Sequence, residues 1–225
     1  MADRVRNNTR GSFKDITEIL LVFLIITTAV SLIQSGEVIG RSIFVPAMWA
    51  LGALVPVLRG EPTSPLLGLS RSRLALGLKY YILSTIVIFP LLAGGFFLYR
   101  QLGLPHPAPI VHYGKSLTEW ILYQFFVVAV FEELFFRGYL QVQAEKIAST
   151  VLSGRMWIFW LPIVFSAFLF GVAHVAVELK VAGFLAFFPG LLFAWLRART
   201  GFLLAPILAH GSANVFSMLL LKSVS

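Results

Sequence analysis

The sequence predicts an all-α fold: a polytopic transmembrane helical bundle of about seven spans, forming a single integral membrane domain over 1–225. Three observations carry that prediction. The chain is 58% hydrophobic and only 12% charged, against ~25% charge in soluble domains, and its mean hydropathy is +0.87. Apolar stretches long enough to span a bilayer, ~17–25 residues each, recur along its whole length. The period-2 alternation of a membrane barrel is absent, which leaves helices as the way to satisfy the backbone in lipid.

The spans fall at 17–35, 42–58, 74–99, 118–143, 157–179, 181–197 and 202–221. A polar N-terminal segment, 1–15, precedes the first. Its basic residues, the apolar run from Ile19 and Ala29-Val30-Ser31 imitate a signal peptide, but the run continues through Leu32 and Ile33 and so suits an uncleaved span. The second span is the shortest. Pro105, Pro107 and Pro109 mark an outer loop before the fourth, and His106 and His112 within that loop need no special reading. After the fourth span, Leu140, Ala144, Ile147 and Val151 recur at helical spacing, with Gln141, Gln143, Glu145 and Lys146 on the polar faces. That pattern fits either an interfacial amphipathic helix at 140–155 or an extension of the fourth helix. Only Glu178 and Lys180 separate the fifth span from the sixth. No internal repeat is evident.

The net charge of +8 and the pI near 10.1 do not indicate nucleic acid, because the basic residues are spread through termini and connections. Arg4, Arg6, Arg10, Lys14, Arg59, Arg71, Arg73, Lys79, Lys146, Arg155, Arg197 and Arg199 would share one side of the membrane. Arg41, Arg100, Lys115, Lys180 and Lys222 would share the other. The positive-inside rule then places the N-terminus in the cytoplasm and the C-terminus outside. There is no cysteine, which excludes disulfides, thiolate catalysis and thiolate metal sites.

Against this apolar background the charged residues of the fourth span stand out. Glu132-Glu133-Leu134-Phe135-Phe136-Arg137 follows a run, Trp120 to Phe131, without any charge. An ionisable group at membrane depth costs roughly 2.5–3.5 kcal/mol on insertion scales and marks a functional hypothesis. Glu133 and Arg137 are i,i+4, in the orientation that favours an ion pair. Glu132, about 100° away around the helix, is left to face a cavity. The spacing also allows the two glutamates to exchange these parts, or the triplet to be a packing network.

Two later helices carry polar groups at the same spacing. Phe170 and His174 are i,i+4, with Gly171 and Ala173 small enough for a neighbouring helix to come close. His210 and Asn214 repeat the spacing, with Gly211, Ser212 and Ala213 between them. Pro206 removes a backbone donor and is expected to kink that last helix. Each segment taken alone reads as well as helix packing. Together, three helices that must turn polar groups away from lipid point them at one another around buried water.

The three motifs, Glu-Glu-x-x-x-Arg at 132–137, Phe-x-x-x-His at 170–174 and His-x-x-x-Asn at 210–214, resemble the CAAX protease and bacteriocin-processing enzyme (CPBP) family of intramembrane glutamic proteases. That family includes the type II CAAX prenyl endopeptidases. The resemblance covers about 118–220, the motif-bearing half. It implies that Glu132 is the base that activates water and that His174 holds the water and shuttles a proton to the leaving amine. His210 and Asn214 would stabilise the oxyanion, with Glu133, Arg137 and Phe170 as supporting residues and Glu133 also able to touch the water. It implies no cofactor and no metal. Zinc bound by two histidines and a glutamate is the mechanistic alternative, although His-Glu-x-x-His is absent. From another class, the chain could be an immunity factor, a scaffold or a small proton-coupled transporter.

The expected partners are the lipid bilayer and a peptide or protein substrate with a membrane-associated segment, and no nucleic acid. The expected location is a prokaryotic cell membrane, with several passes. At ~1.5 Å per residue, Glu132 lies ~20 Å from Glu119, His210 ~18 Å from Lys222, and His174 ~9 Å from Lys180 but ~28 Å from Arg155. With the N-terminus inside, these depths meet in the middle to outer part of the membrane. That favours an exported or membrane-anchored substrate over a prenylated cytosolic one.

Overall fold

The computed structural model of the chain describes residues 2–36, 40–59, 71–103 and 116–223. Those residues are helical, with no strand among them. In chain order the α-helices are α1 (Ala2–Ser35), α2 (Arg41–Ala53), α3 (Val55–Leu58), α4 (Arg71–Gln101), α5 (Leu117–Tyr123), α6 (Val130–Glu133), α7 (Gln141–Val151), α8 (Arg155–Glu178), α9 (Phe187–Thr200) and α10 (Leu204–Lys222). Two π-helical segments, π1 (Gln124–Ala129) and π2 (Leu134–Leu140), flank α6, and a 3-10 segment, Val181–Ala186, leads into α9. The proline loop, with Pro105, Pro107, Pro109, His106 and His112, lies outside the described residues.

Among the described residues, five helices are long and apolar enough to cross a membrane: Phe13–Ser35, Arg73–Leu98, Arg155–Glu178, Val181–Thr200 and Leu204–Lys222. The expected count of about seven is not reached by that measure. The second expected span, 42–58, breaks at Leu54 into α2 and the one-turn α3. Pro56 sits at the start of α3, where its missing N–H and its bulk disfavour an uninterrupted helix through 53–56. The fourth span is interrupted in a different way. From 117 to 151 the chain stays helical but alternates α and π turns, and π turns recur at functional sites.

Of the two readings for 140–155, the structure shows the extension. Leu140 keeps helical backbone, so α7 runs on from π2 and packs against α1 and α8 until Leu152 turns extended. Pro206 does not kink the last helix. It lies in the first turn of α10, where backbone N–H groups have no intrahelical partner to lose, and Ile207 bonds back to Leu203 at 3.0 Å.

The core is aromatic. Trp49 lies 5.2 Å from both Phe135 and Phe136, and Phe136 meets Phe170 edge-on at 5.0 Å. In lipid, apolar side chains gain little by leaving one greasy surface for another, so close packing and hydrogen bonds hold helices together. Two small residues permit that packing around α8. A Cβ at Gly183 would fall 2.9 Å from the backbone of His174, and one at Gly171 would fall 3.1 Å from Phe184 and Phe187. These contacts bring the turn before α9 onto the backbone that carries His174. Gly183 thus serves packing within the chain.

Candidate active site

α6, the four-residue turn between π1 and π2, carries both glutamates. Glu133 is fully buried and accepts from Arg137 Nη1 at 2.8 Å, the i,i+4 pair that the spacing anticipated. Arg137 is equally buried. Its Nη2 donates to the carbonyl of Gly190 on α9 at 3.1 Å, and its guanidinium lies 4.4 Å from the Phe170 ring centroid and 5.5 Å from that of Phe193. A cation held over aromatic faces and paired with a carboxylate is stabilised at a depth where a lone charge would not persist.

The same Glu133 Oε1 reaches His210 Nδ1 on α10 at 2.9 Å. A carboxylate oxygen accepts, so Nδ1 carries the hydrogen of this bond. The other ring nitrogen, Nε2, then turns to Glu132, 3.7 Å from Oε2. Glu132 is partly open, with 15% of its side chain exposed, but its Oε2 is buried and has no hydrogen-bond partner within the protein. Phe193 stacks on the His210 ring at 5.0 Å and 13°, while Phe170 stands edge-on to it at 5.6 Å. One histidine is therefore fixed between two carboxylates that differ in environment. Arg137 and His210 both bond Glu133 through Oε1, and Oε2 of each glutamate is buried without a partner in the protein, but Glu133 is fully buried whereas Glu132 is partly open.

His174 joins through Phe170. Its Nδ1 donates to the Phe170 carbonyl at 2.9 Å and its ring lies 4.4 Å from the Phe170 ring. That bond leaves Nε2 as the nitrogen available for chemistry. Asn214, one turn beyond His210, does not meet the carboxylates. Its Nδ2 donates to Gln124 Oε1 on π1 at 2.9 Å. Among the described residues, no three His, Asp or Glu side chains are spaced to close around a metal ion.

Of the residues singled out from sequence, Glu132, Glu133, Arg137, Phe170 and His210 meet directly. His174 connects through Phe170, and Asn214 stands one turn away. Gln124, Phe193 and Gly190 were not foreseen. A lone amide in the otherwise apolar run 120–131 was the available signal for Gln124. Phe193 and Gly190 gave none, since one is an ordinary core aromatic and the other acts through its backbone oxygen.

No curated protein and no solved structure matches the chain. Residues 114–216 match the family model described as Type II CAAX prenyl endopeptidase Rce1-like, and that stretch contains all three motifs. Residues 114–216, a little under half of the chain, are thus similar to the Rce1-like CAAX-protease family, and the long apolar helices among the described residues mark an integral membrane protein.

Proposed function

We propose that the protein is an intramembrane endopeptidase of the glutamic type, hydrolysing a peptide bond in a membrane-associated or exported peptide or protein. The observation that carries this reading is His210 held between Glu133 and the free Oε2 of Glu132. A water about 2.8 Å from both Glu132 Oε2 and His210 Nε2 spans their separation. Glu132 takes a proton from that water as its oxygen attacks the substrate carbonyl carbon.

The carbonyl oxygen then becomes an oxyanion. Asn214 has a second amide hydrogen beyond the one given to Gln124, and His210 adds Nε2–H when both of its ring nitrogens carry hydrogen. Donors of this kind contribute about 2.7–4 kcal/mol each. His174 Nε2 takes up the proton that Glu132 removed from the water and passes it to the departing amine as the C–N bond breaks, so that water is split between the new carboxyl and amine ends. Glu133 and Arg137 orient His210.

The test compares wild type with Glu132→Ala, His174→Ala and His210→Ala on a co-expressed library of membrane-associated substrates. Each variant is expected to lose about 10²–10⁴-fold in cleavage rate, the usual contribution of a positioned acid or base. Unchanged cleavage by Glu132→Ala would remove the mechanism. Activity lost to a chelator and restored by zinc would transfer it to a metal. We further propose a cytoplasmic N-terminus and a site in the middle to outer membrane. Labelling Asp3→Cys and Val224→Cys from either side tests that, and an external N-terminus would sink it.

A further inference from the structure

The active-site network continues away from Glu132 along one face of the fourth helix. Arg137 and Gln141, four residues apart, reach across the same interface to carbonyls four residues apart on α9: Arg137 Nη2 to Gly190 at 3.1 Å and Gln141 Nε2 to Ala194 at 3.0 Å. Gln141 Nε2 also donates to Glu145 Oε1 at 3.2 Å, and Glu145 pairs with Arg197. Both partners of the Gln141 amide are acceptors, which fixes its nitrogen toward them and its oxygen away. Glu145 opens outward, with 32% of its side chain exposed, whereas Gln141 is fully buried.

The line from His210 through Glu133 and Arg137, and from Gln141 through Glu145 to Arg197, has one break. It falls between Arg137 and Gln141. At that break Arg137 Nε, a donor, and Gln141 Oε1, an acceptor, are both buried without a hydrogen-bond partner in the protein. Buried polar atoms in folded proteins are satisfied by protein or by ordered water, and a donor and an acceptor on side chains four residues apart, both bound to α9, are groups that a water can satisfy.

We propose that a buried water-binding site at this joint completes a polar column from the two glutamates to the Glu145–Arg197 end of the bundle, and that the column resupplies water to the site. Hydrolysis consumes one water per bond cut. The role in resupply rests on the peptidase reading; the water site does not.

The absence of cysteine makes the test direct. Full-length Gln141→Cys in membranes is exposed to silver ion, a small water-borne thiol reagent, beside Ala167→Cys, a fully buried position on α8. The thiol at 141 is expected to react at least about ten-fold faster than one at 167, which is reached only when the packing opens. Equal rates would overturn the water site. In the cleavage assay, Gln141→Leu is expected to lower kcat about ten-fold and leave KM unchanged, because a bridging water and not a substrate contact is lost. An unchanged kcat would overturn the resupply role. The two readings fail separately. If Glu132→Ala cleaves as wild type while the labelling contrast persists, the peptidase reading falls and the water site stands. If Glu132→Ala is dead but Gln141→Cys is as inert as Ala167→Cys, the column falls alone.

Discussion

α4 and α8 have the same mean hydropathy, 2.1, over comparable apolar lengths, yet 11% of the α4 window is buried inside the protein against 44% of the α8 window. Ile82, Leu83, Ile86, Val87 and Leu91 of α4 face outward. One face of the helix packs on α9 and α10, through Tyr80 on Trp195 at 5.5 Å, Phe89 on Phe216 at 4.4 Å, and Tyr81 hydroxyl to Ser212 at 2.8 Å among others. α8 buries Ser166, Gly171 and Phe170 and carries His174. Hydropathy thus reports that a helix belongs in lipid, not where it stands in the bundle. Small and polar residues decide that, because they are what a lipid-embedded helix can use to hold a neighbour.

The sharpest way to break this contrast is to truncate one phenylalanine on each helix. Phe170→Ala is expected to cost about 3–5 kcal/mol, as for other buried aromatics, because that ring touches Arg137, His174 and His210. Phe97→Ala, half-exposed on α4, should stay within about 0.5 kcal/mol. Unfolding in mild detergent measures both, and equal losses would show that α4 is part of the core.

Smaller and opposite in sign is a pair of glycines. Gly171→Ala should cost about 1–3 kcal/mol by overpacking against Phe184 and Phe187. Gly94→Ala, with nothing within 4 Å of the new Cβ, should gain about 0.5–1 kcal/mol from helix propensity. The same melts check the sign. Smallest is Tyr81→Phe, which removes the hydroxyl tie from α4 to Ser212. Hydrogen bonds between membrane helices average ~0.6 kcal/mol, so a shift much above that would mean α4 is held more tightly than its contacts suggest.

Much of this was legible in the residues themselves. Composition alone predicts helices in a membrane, and i,i+4 spacing predicts the Glu133–Arg137 pair. What spacing cannot carry is contact between helices. His210 sits 77 residues from Glu133 in sequence, and nothing local says that Nδ1 will share the oxygen already held by Arg137. Asn214 shows the same limit, since its partner is Gln124, 90 residues away. The span count suffered for a local reason. Pro56 reads as apolar in a hydropathy window but breaks a helix, and π turns have no compositional mark. Pro206 was misjudged because a proline kinks a helix only where that helix is already under way.

The packing around His210 also carries a consequence for time. The imidazole is flat against Phe193, edge-on to Phe170 and tied at Nδ1 to Glu133. It cannot turn over without displacing a ring on α8 or α9, so exchange of its two nitrogens waits on collective breathing of helices, microseconds or longer, instead of the ~picosecond-to-nanosecond swivel of an exposed side chain. Within one encounter, the histidine keeps a handedness: one edge always belongs to Glu133 and the other always looks toward Glu132.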